Sequence, residues 1–155
     1  IDHEITKKSY WFRWLWYKNN KTRNNLMKKK YLIVVADYYT DIAKGLLDSA
    51  LKIIPKLSLI KIIKVPGVFE IPVIISKNIK KYDAFLALGC VIKGQTPHFD
   101  FISSATTNAI MDLSVMSKKP IGNGVITCLN KNQARARKKK GEEAARAVIS
   151  ILSQK

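Results

Sequence analysis

Along the chain, short uninterrupted apolar runs alternate with longer stretches whose apolar residues recur at helical spacing. "YLIVVA" (31–36) is apolar and β-branched throughout, the pattern of a strand buried on both faces. Ile42, Leu46, Leu47, Ala50, Ile53 and Ile54 then fall on one face of a helix that Thr40 or Asp41 can cap. "LSLIKIIKV" (57–65) predicts a second strand, more exposed than the first because of its lysines, and a helix over about 71–80 follows "PGVFEIP". "AFLALGCVI" (84–92) reads as a third buried strand. A polar loop leads from it into a long helix over about 99–117, supported by Ile102, Ala105, Ala109, Ile110, Leu113 and Met116. "IGNGVITC" (121–128) is the fourth strand, and 130–138 and 142–153 read as two closing helices.

Four strand-then-helix units in a row predict an α/β fold: a four-stranded parallel sheet inside a three-layer α/β/α sandwich. Such sheets bind ligands beyond the carboxyl ends of their strands. The chemically unusual residues of this chain follow strands: "DYY" the first, "PGVFE" the second, "KGQTPH" the third and residues 127–130 the fourth. A cleft along that edge is the inference.

Each of these residues has two readings when taken alone. The loop Lys93-Gly94-Gln95-Thr96 precedes a helix and either cradles a phosphate or is an ordinary turn. His98 is either a proton shuttle or a group at a helix start. Glu70, between Phe69 and Ile71, needs a donor: a polyol hydroxyl or a neighbouring lysine. Tyr38 either stacks on a flat heterocycle or packs in the core, and Arg137 either reaches a phosphate or is solvated.

Composition narrows the class. The chain has 155 residues, 47% of them hydrophobic, enough for one domain with a core. Its net charge of +17 suits phosphorylated small molecules, acidic lipid or nucleic acid, and also follows from lysine-rich residue usage without any nucleic-acid motif. Cys90 and Cys128 form no CxxC pair and have no metal-ligand spacing, so a reduced cytoplasmic setting and no metal site are expected. Residues 1–26 hold all three tryptophans, many basic residues and no turn-delimited periodic pattern. "YWFRWLWY" has the make-up of a segment lying on a membrane surface, but the stretch reads best as an extension outside the domain, upstream translated sequence being one source of it, with the domain itself running from 27 to 155.

Together, "VPGVFEIP" (65–72), "KYDAFLALGCVIKGQTPHFDFI" (81–102), "PIGNGVITCLNKNQA" (120–134) and "KGEEAARAV" (140–148) resemble the 6,7-dimethyl-8-ribityllumazine synthase family over about residues 30–152. The resemblance implies a flavodoxin-like fold and a transferase that needs no cofactor. Its reaction is the penultimate step of riboflavin biosynthesis. 5-Amino-6-(D-ribitylamino)uracil condenses with 3,4-dihydroxy-2-butanone 4-phosphate to give the lumazine, phosphate and water. It also implies that Tyr38 stacks on the pyrimidine, that Val68, Phe69 and Glu70 hold the ribitylated ring, and that the backbone of Cys90, Val91 and Ile92 hydrogen-bonds it. Gln95, Thr96 and Arg137 would take the phosphate, and His98 would donate the proton.

The implied partners are the two small-molecule substrates and further copies of the chain, with no nucleic acid and no membrane. The copies would form a homopentamer, or a larger closed shell, whose sites draw Asn123 and Arg137 from the neighbouring subunit. Asn123 stands where many members carry an aromatic, Tyr39 where some carry asparagine, and "KKK" after Arg137 is shorter than the usual linker.

Overall fold

Every residue of the first strand, β1 (Lys30–Ala36), is buried after Lys30. The computed structural model describes residues 12–21 and 28–154. β2 (Leu59–Val65), β3 (Ala84–Ile92) and β4 (Ile121–Cys128) join β1 in one sheet of order β2-β1-β3-β4. All three pairings are parallel, with Tyr31 opposite both Ile60 and Ala84, and Cys90 opposite Ile126. The lysine-bearing strand is an edge: β2 is exposed along most of its length and buried only at Val65.

Because successive strand residues point to opposite faces, the central strands feed two cores. On one face, Ile33, Val35, Leu86 and Leu88 pack with Ile42 and Leu46 of α2 (Thr40–Leu51) and with Ala145 and Val148 of α6 (Lys140–Leu152). On the other, Leu32, Val34, Phe85 and Ala87 meet Ile71 and Ile75 of α3 (Ile71–Asn78) and Ile110 of α4 (His98–Ser117). The short α5 (Lys131–Ala136) follows β4, capped by Asn130, whose side chain accepts from the Gln133 N–H at 2.9 Å. The result is the three-layer α/β/α, flavodoxin-like sandwich.

Three local expectations change. The N-cap of α2 is Tyr39, with no side-chain hydrogen bond, rather than Thr40 or Asp41. On α4, Ala105 and Met116 are exposed, because only Thr106 and Ile110 of that helix are buried by the rest of the chain. Within the extension, residues 12–21 form a helix, α1, where no periodic pattern was expected; the remainder of the 1–26 extension lies outside the described residues.

Helices α2 and α6 touch through Gly141. A Cβ there would fall 2.0 Å from the Leu46 carbonyl oxygen and 2.6 Å from Ser49 Oγ. The buried Ser49 hydroxyl lies 2.9 Å from both the Leu46 and Lys138 carbonyl oxygens, tying the turn between α5 and α6 to α2.

Candidate active site

The carboxyl ends of β1, β2 and β3 are gathered by close packing at Gly89. A Cβ on Gly89 would stand 2.6 Å from Val68 Cγ1 and 2.9 Å from Ala36 Cβ, so only glycine lets the end of β1 and the segment after β2 approach β3 this closely. That segment is a single 3-10 turn, Val68–Glu70. The Gly67 N–H donates to Glu70 Oε2 at 3.0 Å, which closes the turn. Glu70 is therefore an exposed carboxylate held by the backbone, and of its two expected donors no lysine among the described residues forms an ion pair with it.

Beyond β1, Tyr38 is 73% exposed and Tyr39 packs against the core. Their rings meet edge-to-face, with centroids 4.9 Å apart and planes at 76°, a geometry that steadies an exposed ring. Burial raises the Tyr39 phenol above its ordinary range, with smaller contributions from Tyr38 and Cys90.

The end of β3 supplies Cys90, Val91 and Ile92, the first buried and the others half-buried. Burial above all, then the neighbouring Cys128 and the Asp41 charge, pushes the Cys90 thiol up to about 12. It is a small filler and stays protonated at neutral pH. The ladder continues as the Lys93 N–H donates to the Cys128 carbonyl at 2.9 Å. The exposed loop Gly94-Gln95-Thr96 then delivers the chain to α4, whose first residue is His98, one position earlier than the periodicity predicts.

A cavity of about 490 Å³ opens among these elements. Nine of the expected residues line it: Tyr38, Val68, Phe69, Glu70, Cys90, Val91, Ile92, Thr96 and His98. An imidazole, a carboxylate, an exposed phenol ring and a helix N-terminus thus face one hollow, an apolar pocket with a few convergent polar groups. Tyr39, Gly67, Gly94, Phe99 and Ile102 line it as well. Gly94 belongs to the loop read as a phosphate cradle, whereas the other four were given no site role; Ile102 carried a usable signal, lying one turn past His98 on the inward side of α4.

Gln95, Asn123 and Arg137 are not part of this lining. Asn123 is exposed on β4 and its Oδ1 accepts from the Val125 N–H at 3.1 Å. The Arg137 guanidinium donates to the Gln133 carbonyl at 3.3 Å and borders a second cavity of about 390 Å³, shared with Thr127, Lys139 and Lys140.

The family model for 6,7-dimethyl-8-ribityllumazine synthase matches residues 28–155. The chain belongs to this family. It is 40% identical over 143 residues to the 6,7-dimethyl-8-ribityllumazine synthase of Agrobacterium fabrum, covering 84% of this chain and 97% of that one. Over 145 residues it is 39% identical to 6,7-dimethyl-8-ribityllumazine synthase 1 of Rhodopseudomonas palustris, 85% of this chain and 89% of the relative. A second R. palustris synthase, from strain BisA53, is 42% identical over 134 residues, 78% and 82% of the two chains.

The buried thiol gives the chain an alkaline signature. The Cys90 thiol is held up to about 12 from 9.0, so the folded chain keeps a proton that the unfolded chain loses. The stabilisation is complete below about pH 9 and fades as pH rises toward about 12, by up to ~1.4 kcal/mol per unit. Urea melts of wild type and Cys90→Ala should therefore converge in that window; parallel pH dependences would show that Cys90 is not the titrating group.

Proposed function

We propose that the 490 Å³ cavity is a lumazine synthase active site, in which 5-amino-6-(D-ribitylamino)uracil condenses with 3,4-dihydroxy-2-butanone 4-phosphate to form 6,7-dimethyl-8-ribityllumazine. The observation that carries the assignment is the convergence of His98, Glu70 and Thr96 on one hollow beside the exposed ring of Tyr38. Tyr38 stacks on the pyrimidine, while Val68, Phe69 and the fixed Glu70 carboxylate receive the ring edge and the ribityl hydroxyls. The backbone at Cys90, Val91 and Ile92 hydrogen-bonds the ring. Gln95 and Thr96 hold the phosphate at the mouth of α4, where free N–H groups favour an anion.

The pyrimidine amine attacks the ketone, water leaves to give an imine, phosphate is eliminated, and the second amine closes the ring with loss of water. Every step moves a proton between nitrogen or carbon and oxygen, and His98 is the group at the cavity suited to pass it. Holding the two substrates together supplies much of the remaining acceleration.

Arg137 and Asn123 complete the site from a neighbouring copy in a ring of five. Support for the ring is the apolar surface one chain leaves uncovered. Phe101, Met111, Val115 and Met116 of α4 are each more than 60% exposed, and Leu59, Ile60 and Ile62 line the bare edge strand β2. Patches of this kind mark contacts between chains, and a repeating head-to-tail contact closes a ring. The compact turn between α5 and α6, where the Lys140 N–H donates to the Arg137 carbonyl at 3.0 Å, bears on whether rings stop there or build a shell. A family match beginning at residue 28 supports 27–155 as the enzyme domain. Two free buried cysteines favour a reducing, cytoplasmic setting.

Mixing the two substrates with the protein and following lumazine fluorescence tests the activity. His98→Ala should lower kcat by less than the full ~10²–10⁴-fold range of general acid–base catalysis, with KM almost unchanged. Turnover within about twofold of wild type would remove His98 from the proton path.

A further inference from the structure

Helix α1 (residues 12–21) plays no part in the site, and nearly all of it is exposed. Its side chains are not distributed evenly. Phe12, Leu15 and Trp16 lie three and four residues apart and so share one face; Phe12 and Trp16 are each 71% exposed. On another side, Lys18 sits over the Trp14 ring at 4.7 Å and Lys21 over the Tyr17 ring at 5.8 Å. These stacked pairs hold the cations beside aromatic rings and away from the Phe12–Leu15–Trp16 face, whose one polar member is Asn19 toward the end of the helix.

We infer that α1 docks on the surface of an anionic lipid bilayer, with Phe12, Leu15 and Trp16 turned into the boundary between headgroups and acyl chains. Charge complementarity and residue type both select this partner. Residues 1–26 carry six lysines and arginines against Asp2 and Glu4, an excess that acidic headgroups attract. Indole and phenol rings favour the interfacial zone, where one side is apolar and the other wet. A nucleic acid would use the cations and leave the Phe12–Leu15–Trp16 face in water. Among the described residues no helix is long and apolar enough to cross a membrane, so the docking proposed is on the surface. The enzyme would then be a peripheral one, contrary to the expectation that no membrane is engaged.

All three tryptophans, Trp11, Trp14 and Trp16, lie in or beside α1, so the tryptophan emission of the whole chain reports on this segment alone. The full-length protein is titrated with vesicles of phosphatidylcholine containing phosphatidylglycerol, and with pure phosphatidylcholine vesicles. Emission should shift to shorter wavelength and the protein should sediment with the anionic vesicles; raising the salt should weaken both effects. Phe12→Ser combined with Leu15→Ser keeps every indole as a reporter. That double variant should bind at least about tenfold more weakly while forming lumazine at the wild-type rate. The proposal is overturned by an unshifted emission on anionic vesicles, by undiminished binding of the double variant, or by an equal blue shift with polyuridylate in place of lipid. None of these readouts depends on catalysis, so failure here leaves the active-site assignment standing.

Discussion

If Arg137 reaches the cavity from a neighbouring copy, as proposed, separating the copies into single chains should abolish lumazine formation while each chain stays folded. In one chain the cavity holds His98, Glu70, Thr96 and Tyr38, but Arg137 borders a different hollow, between β4 and the α5–α6 segment. A phosphate bound at Thr96 alone would lack its guanidinium partner, and charge-assisted bonds of that kind are about twice as strong as neutral ones. The pyrimidine would also lie in an open trough under Tyr38, exposed to water. Mixed rings give the sharpest measurement. His98→Ala and Arg137→Ala chains, each impaired alone, are unfolded, combined in equal amounts and refolded together. If each site takes its imidazole from one chain and its guanidinium from the next, about a quarter of the sites regain both native groups, and activity rises well above that of either variant. Activity equal to the average of the two variants would mean that each chain catalyses unaided.

Gly141→Ala should cost about 3 kcal/mol or more, a large part of the ~5–15 kcal/mol available to a domain. The added methyl would sit 2.0 Å from a backbone oxygen of α2, which no rotamer change can clear. Relief requires α2 and α6 to move apart, and that also breaks the partly buried hydrogen bond from Ser49 Oγ to the Lys138 carbonyl. Gly94→Ala is the control, because a Cβ there meets nothing within 4 Å. Urea midpoints should place the first variant far below wild type and the second close to it. A Gly141→Ala chain within about 0.5 kcal/mol of wild type would show that the helices are not locked together at this point. Because Lys138 follows Arg137 directly, the destabilised variant should also hold phosphate more weakly.

The two central strands, β1 and β3, were legible because they are buried on both faces, and β4 because one face of it is buried at every second residue. β3 and β4 match the apolar runs residue for residue, and β1 differs only by Lys30. The lysines of β2 marked it as more exposed than β1, and the structure makes it an edge strand. Apolar period alone misplaced Ala105 and Met116 of α4, since a helix with apolar residues on more than one side gives no clue to which side its own chain covers. At the site, Tyr38, Phe69, Thr96 and His98 were readable from their positions after strands. The environment of Glu70 was not, because it depends on a turn three residues long whose partner is a backbone N–H. Tyr39 was hidden for a related reason: nothing local reveals that an N-cap position holds a ring against its neighbour.

The strand order has a consequence for the chain as it is synthesised. β1 and β2 emerge first and can pair at once, but the other side of β1 must wait for β3, whose entry is marked by the Lys30 N–H donating to Asp83 Oδ2 at 2.8 Å. Until then Leu32–Val35 present an open, strongly apolar ribbon edge, the kind of template on which nascent chains aggregate. Catalytic competence is acquired late in biogenesis, and lowering the cell's chaperone capacity should deplete this enzyme before it depletes proteins whose early segments can bury themselves.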